Sequence, residues 1–215
     1  MFFKNPAKAK MVSAADALIG RSEALEISGQ HTVLGSSMQP PYPAGSEQLI
    51  IGMGCFWGAE RKFWSLPGVI TTAVGYSAGF TPNPNYKEVC SGQTGHNEAV
   101  LIVFDPSILG LKELLKTFWE SHNPTQGMQQ GHDSGTQYRS GLYYFNEQQK
   151  QVCEETKAIF DTALKNKLGD SATAITTEIQ PAAEFYFAEE YHQQYLDKNP
   201  NGYCGLGGLG ISCSI

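Results

Sequence analysis

Apolar and polar positions divide the chain into short hydrophobic runs and longer helical stripes, set in a good deal of coil. Residues 48–51, bounded by Gly52 and Gly54, form an apolar run that predicts a buried strand. From 55 to 65 the spacing turns helical, with Phe56, Ala59, Phe63 and Trp64 on adjacent faces, and Leu66-Pro67-Gly68 ends it. Residues 69–76 and 98–104 predict two more strands, separated by a loop rich in Gly, Pro and Asn with a short helical turn at 86–90. Asp105-Pro106 is expected to open a helix whose Leu111, Leu114, Leu115, Phe118 and Trp119 make an apolar stripe. The polar stretch 122–139 has no apolar period, and a loop of that length is more often functional than idle. Residues 141–145 predict a fourth strand. The longest helix follows at 147–168, with Val152, Ile159, Phe160, Ala163 and Leu164 inward. A fifth strand is expected at 173–179 and a further helix at 188–196, before a Gly-rich tail from Asn199. Residues 1–46 are irregular apart from a helical candidate at 13–18.

The first four strands and two helices run β-α-β-β-α-β, the split βαβ order of a ferredoxin-like core. The expected fold class is therefore α+β, a two-layer sandwich with long coil insertions. One domain is expected, with an arm (1–46), a body (47–198) and a Gly-rich tail (199–215). Of the 215 residues, 41% are apolar and 17% charged, which suits a globular protein and not a disordered one. A net charge of -6 argues against nucleic acid or an anionic membrane as the main partner. No apolar stretch approaches the roughly 18 residues of a membrane span, and the N-terminal residues meet charge and proline too soon for a secretory signal. A soluble, cytoplasmic monomer is the expectation.

Five cysteines, Cys55, Cys90, Cys153, Cys204 and Cys213, are odd in number, widely spread and without a C-x-x-C pair. Neither a secreted disulfide scaffold nor a zinc site fits that pattern, and no metal is expected. Reactive thiols or plain buried ones remain. Gly54-Cys55-Phe56-Trp57-Gly58 is the most informative stretch. A cysteine that follows a strand and a glycine turn, at the first turn of a helix, faces unsatisfied N–H groups and the positive end of the helix dipole. That setting is expected to lower the thiol pKa from about 8.5. A small buried hydrophobe is the alternative, and the placement favours the reactive thiol. Phe56 and Trp57 are adjacent, so they cannot both face one core, and one of them is free to line a pocket.

The motif that continues to Ala59-Glu60 resembles the signature of the A-type peptide methionine sulfoxide reductases. The resemblance extends through Thr81-Pro82-Asn83-Pro84-Asn85-Tyr86, Gly95-His96-Asn97-Glu98 and Gly135-Thr136-Gln137-Tyr138-Arg139-Ser140. It closes with Tyr191-His192-Gln193-Gln194-Tyr195 and Asn199-Pro200-Asn201-Gly202-Tyr203-Cys204-Gly205, covering about residues 13–213. It implies thiol-dependent reduction of the S epimer of methionine sulfoxide, free or in peptides and proteins, with no cofactor. By the same resemblance Cys55 is the nucleophile and Glu98 the proton source, while Tyr86 and Tyr138 donate hydrogen bonds to the sulfoxide oxygen. Asp133 shapes the pocket, in a loop that reads Gly131-His132-Asp133 where the family more commonly has Gly-Asn-Asp. Phe56 and Trp57 enclose the S-methyl group. A carboxyl walled by aromatics should have a raised pKa, which would keep Glu98 protonated near neutrality.

Attack leaves a sulfenic acid, which must condense with a second thiol before it overoxidises. Cys204 stands among glycines that let its segment swing, and it matches the family's resolving cysteine. Cys213 matches a second recycling cysteine found in part of the family, and thioredoxin is the implied reductant. Cys213 has no evident anchoring apolar run, so a dispensable tail thiol is the alternative for it. Cys90 and Cys153 read as packing residues. His31, His96, His122 and His192 read as hydrogen-bonding or surface groups; alternation places His96 on the face of Glu98, and His192 is a positioning candidate. Two rival readings remain. One is a cysteine hydrolase pairing Cys55 with His96 or His192, and the other is a module that binds oxidised methionine without turnover.

Overall fold

Strand β1 (Glu47–Met53) carries consecutive apolar side chains because both of its faces are covered: Leu49, Ile50, Ile51 and Met53 are all buried. In the computed structural model, which describes residues 9–215, it lies at the centre of a six-stranded sheet. The elements run β1, α1 (Phe56–Trp64), β2 (Val69–Ser77), α2 (Tyr86–Cys90), β3 (Asn97–Phe104) and α3 (Leu111–Ser121). Then come a two-stranded ribbon of β4 (Gln129–Gln130) and β5 (Asp133–Ser134), β6 (Ser140–Tyr144) and α4 (Glu147–Leu168). The last are β7 (Glu178–Pro181), β8 (Tyr186–Phe187) and α5 (Tyr195–Lys198). Strand order is β7-β6-β1-β3-β2-β8. The inner four strands pair antiparallel, and β7 joins β6 in parallel. This is the split βαβ arrangement extended by one short strand at each edge.

The larger core lies on the helical face, where Leu49, Ile51, Ile102 and Phe104 of the sheet meet Phe63 of α1, Leu115 and Phe118 of α3 and Phe160 of α4. Ile50, Leu101, Val103 and Tyr143 point the other way, under Tyr42 of the N-terminal arm and Ala182 and Phe185 of the β7–β8 connection. The arm also ties down two loops. The Thr81 hydroxyl donates to the Leu18 carbonyl and Arg21 pairs with Glu88 at 2.7 Å, while Ser28 and Thr32 bond Glu190 and Asp197.

Several elements differ from the sequence expectation. Residues 13–18 form a turn, closed by Asp16 N–H on the Ser13 carbonyl, with too few apolar contacts to extend into a helix. Asp105 does not open α3. Its carboxylate accepts from the backbone and hydroxyl of Ser107, which folds 105–109 into a turn, and the helix starts at Leu111 after Gly110. The fifth strand shrinks to Glu178–Pro181, since pairing with β6 fixes only Gly141 to Tyr144 against it. Residues 188–189 are irregular and 190–194 are turns, and helix appears only at Tyr195–Lys198 after Gln194 in a left-handed conformation (φ +46). The buried stripe of α4 is Cys153, Thr156, Phe160 and Leu164, with Val152, Ile159 and Ala163 at its flanks.

Trp119 of α3 is fully buried, lies nearly parallel to Phe160 and donates its indole N–H to the Thr156 hydroxyl at 3.0 Å. Thr156→Val keeps the shape and adds apolar surface, yet it strands that N–H in the core. It should cost about 1–3 kcal/mol in urea unfolding, and an unchanged midpoint would assign the hydroxyl no role in stability.

Candidate active site

The turn between β1 and α1 is built around Gly54, whose φ is +87 and whose Cβ, if present, would lie 2.5 Å from the Gln130 side chain. That turn sets Cys55 at the N-cap of α1, half-buried. The next N–H, of Phe56, donates to Glu98 Oε2 at 3.2 Å, so the helix start and the start of β3 meet at one end of the sheet. Glu98 is 1% exposed, and its Oε1 has no hydrogen-bond partner among the described residues. Burial pushes its pKa up to about 8, against a lowering by the Phe56 N–H. At neutral pH this carboxyl is mainly protonated.

The Cys55 thiol does not behave as the helix-terminus argument predicts. Burial is the largest influence and raises its pKa, and the Glu98 charge acts in the same direction. The N–H groups of Trp57 and Gly58 oppose this but do not prevail. A nine-residue helix offers a partial charge that a desolvated thiolate outweighs. The resting group is therefore a thiol.

Tyr86 and Tyr138 come together here, each close enough to feel the charge of Glu98 and each raised in pKa first of all by burial. A capping box between Asn85 and Glu88, gripped by Arg21, fixes the short α2 that bears Tyr86. Tyr138 sits in a 3-10 turn, Thr136–Tyr138, held by Arg139, which bonds Glu178, the Thr136 carbonyl and the Ala78 carbonyl. Phe56 turns inward and is 1% exposed, while Trp57 is only partly covered. The Trp57 indole donates to His192 Nδ1 at 3.0 Å and stacks on Tyr195 at 3.9 Å between centroids. His192 is buried, its pKa is lowered to about 4 by desolvation, and it stays neutral. Asp133, half-buried on β5, accepts from the Tyr203 hydroxyl at 3.1 Å.

Cys204 is exposed and lies over Gly58, one helical turn from Cys55; a Cβ on Gly58 would come within 3.0 Å of its sulfur. Cys213 is elsewhere and far from loose. It is 4% exposed in the main core cluster, where its N–H donates to Glu120 Oε1 at 2.9 Å and the Ser212 hydroxyl donates to the same oxygen. Burial, with Glu120 beside it, pushes the Cys213 thiol up to about 11. The sequence showed no anchor because the anchor is the end of α3, nearly a hundred residues earlier.

The structure thus gathers Cys55, Glu98, Tyr86, Tyr138, Asp133, Phe56 and Trp57, brings Cys204 alongside, and keeps Cys213 apart. Sequence reasoning missed Glu189, which accepts the Tyr86 N–H and the Tyr76 hydroxyl, and Tyr203. It read Cys90 as packing; the thiol is half-buried and lies close enough to the Tyr86 phenol to help raise its pKa. No periodicity or motif spacing marks these residues. His96 holds the Thr81 carbonyl at 2.7 Å, before β3 and not within it. Among the described residues no three His, Cys, Asp or Glu side chains could hold a metal, and no helix is long and apolar enough to cross a membrane.

A family model described as peptide methionine sulfoxide reductase matches residues 47–208. The chain belongs to that family. It is 59% identical over 211 residues to the peptide methionine sulfoxide reductase MsrA of Saccharophagus degradans, covering 98% of this chain and 97% of that one. Its identity to MsrA of Vibrio cholerae is 58% over 204 residues, 95% of each. Among solved structures, methionine sulfoxide reductase A of Corynebacterium diphtheriae is similar with TM-score 0.82 and 43% identity, over 91% of this chain and 93% of that chain. Mxr1 from Saccharomyces cerevisiae in reduced form gives 0.68 and 34%, over 80% and 94%. The same yeast protein in complex with Trx2 shares the fold, with TM-score 0.50 at 21% identity, over 85% and 98%. The protein is a methionine sulfoxide reductase, an oxidoreductase that acts on methionine sulfoxide.

With Glu98 the one group in the site shifted to about 8, peptide methionine sulfoxide reductase activity should fall above that pH as the acid ionises. In single-turnover assays from pH 6 upward, kcat/KM should be flat and then drop about tenfold per unit. A profile that rises through this range, as expected for a thiolate titrating near 8.5, would contradict the protonated-acid reading.

Proposed function

We propose that this enzyme reduces the S epimer of methionine sulfoxide, free and in polypeptides, with Cys55 as nucleophile and Glu98 as acid. The observation that carries this reading is the pairing of a protonated buried carboxyl with a thiol at the same strand end. Glu98 gives its proton to the sulfoxide oxygen and recovers one from the Cys55 thiol as sulfur attacks sulfur. The hydroxyl then passes from the substrate sulfur to the Cys55 sulfur as the new S–S bond breaks, so that methionine leaves as the thioether and Cys55 is left as sulfenic acid. Tyr86 and Tyr138 stay protonated at working pH, which suits them to donate hydrogen bonds to that oxygen. Trp57 and Phe56 supply the apolar wall for the methyl group, and Asp133 with Tyr203 borders the mouth. A raised thiol pKa is consistent with this sequence, because the thiol need ionise only when the substrate oxygen takes a proton.

Cys204 then displaces hydroxide from the sulfenic acid, which leaves as water, and forms the Cys55–Cys204 disulfide. Gly58 supports this step, since its missing side chain is what lets Cys204 approach α1. Cys213 attacks Cys204, frees Cys55 and passes an accessible disulfide to thioredoxin. Its buried setting means that the tail must first leave Glu120. A hydrolase pairing is disfavoured because neither candidate base bonds Cys55: His192 Nδ1 accepts from Trp57, His96 Nε2 is on the Thr81 carbonyl, and the other nitrogen of each has no hydrogen-bond partner among the described residues.

Racemic methionine sulfoxide with dithiothreitol should lose only the S epimer on chiral chromatography. Cys55→Ser should abolish the reaction, and Glu98→Gln should slow it by about 10² to 10⁴-fold with little change in KM. Glu98→Gln within threefold of wild type would remove the acid role. For the relay, Cys204→Ala should turn over with dithiothreitol but stop after one product with thioredoxin. Cys213→Ala should spare that first turnover and slow the thioredoxin-driven steady rate; an unchanged rate would reduce the relay to two cysteines.

A further inference from the structure

The tail that carries both recycling cysteines lies on a run of positive charge, in a protein whose net charge is -6. At its Cys204 end is an open cavity of about 440 Å³ lined by Gly58, Arg61, Lys62, Ser65, Cys204 and Leu206. Arg61 and Lys62 are exposed, and among the described residues neither makes an ion pair. Further along, Lys167 of α4 donates to the Gly210 carbonyl. At the far end Lys116 of α3 lies close enough to act on the Cys213 thiol. The anions beside the tail are already engaged: Asp133 by Tyr203, and Glu120 by Ser212 and Cys213.

We propose that Arg61 and Lys62, continued by Lys116 and Lys167, form the docking surface for a dithiol reductant protein with an acidic face. The proposal rests on the thioredoxin-driven recycling set out above and adds what selects the partner. The cations come from three different helices and border the tail from Cys204 to Cys213, an area that a protein covers and a small thiol does not. Attack on a disulfide demands that the donor's thiolate approach along the S–S axis, so the two surfaces must meet in a fixed orientation. Charge complementarity supplies that orientation and speeds encounter. Once docked, the donor thiolate attacks one enzyme sulfur and releases the other as thiol. The donor's second thiol then breaks the mixed disulfide, and the donor leaves oxidised while both enzyme cysteines are reduced.

The test is steady-state turnover of the full chain with an acidic thioredoxin at several ionic strengths. It compares wild type, the double variant Arg61→Glu with Lys62→Glu, and a control of equal charge change, Lys10→Glu with Lys150→Glu, in the N-terminal arm and at the end of α4 opposite Lys167. The first double variant should lose at least about tenfold in kcat/KM for thioredoxin at low salt, and raising salt should narrow the gap. Its rate with dithiothreitol, which is uncharged, should stay within about twofold of wild type, and the control should stay near wild type with both donors. An equal loss in the control would assign the effect to net charge and overturn a local surface, and so would no loss in either. A loss seen with glutathione but not with thioredoxin would make this a small-anion site instead. If wild type turns over with dithiothreitol and not with thioredoxin, the recycling partner itself is wrong, and the docking surface falls with it.

Discussion

The hydrogen bond from the Phe56 N–H to Glu98 ties the N-terminus of α1 to the first residues of β3, and the rest of the site depends on it. It can form only because β1 and β3 are neighbours and because Gly54 turns the chain sharply enough to start a helix beside the strand end. A carboxyl held there, with one oxygen bonded and one not, is costly to ionise. The same burial that keeps Glu98 protonated also keeps Cys55 protonated. The proposed nucleophile and acid thus share one desolvated space, which explains why the helix dipole does not decide the state of the thiol.

Around that point the supporting groups lie on segments with little regular structure of their own. Tyr86 is fixed by a capping box, by Glu189 and by the Arg21–Glu88 pair; Tyr138 is fixed through Arg139; Trp57 is fixed by His192 and Tyr195. Each bond satisfies a buried or half-buried polar group that would otherwise weaken the fold, so positioning and stability share the same contacts. The N-terminal arm belongs to this scheme, because it binds both the α2 loop and the segment ahead of α5.

The tail obeys a different constraint. Gly58 and Gly208 permit backbone and sulfur to pass closer to α1 and α3 than any side chain would, a Cβ on Gly208 falling 1.9 Å from the Glu120 carbonyl. Cys204 is left exposed beside Gly58 of α1, while Cys213 is folded into the core. The proposed relay would accordingly join two thiols of opposite accessibility.

The β-α-β-β-α-β order, the central strands, the extents of α2 and α4 and the Gly54-Cys55 turn were legible in the sequence, because each rests on short-range periodicity, glycine or capping chemistry that neighbours in the chain settle among themselves. The motifs likewise marked Cys55, Glu98, Tyr86, Tyr138 and Cys204 before any contact was visible. Residues 13–18, 105–110 and 188–194 were misread, since helix-like composition there yields to turn bonds and to packing by partners distant in sequence. Only the tertiary structure decided the ionisation of Cys55, the burial of Cys213 against Glu120 and the contact of Cys90 with Tyr86. Desolvation and long-range hydrogen bonds have no local signature: they depend on which surfaces the fold brings together, and a chain read residue by residue does not contain that.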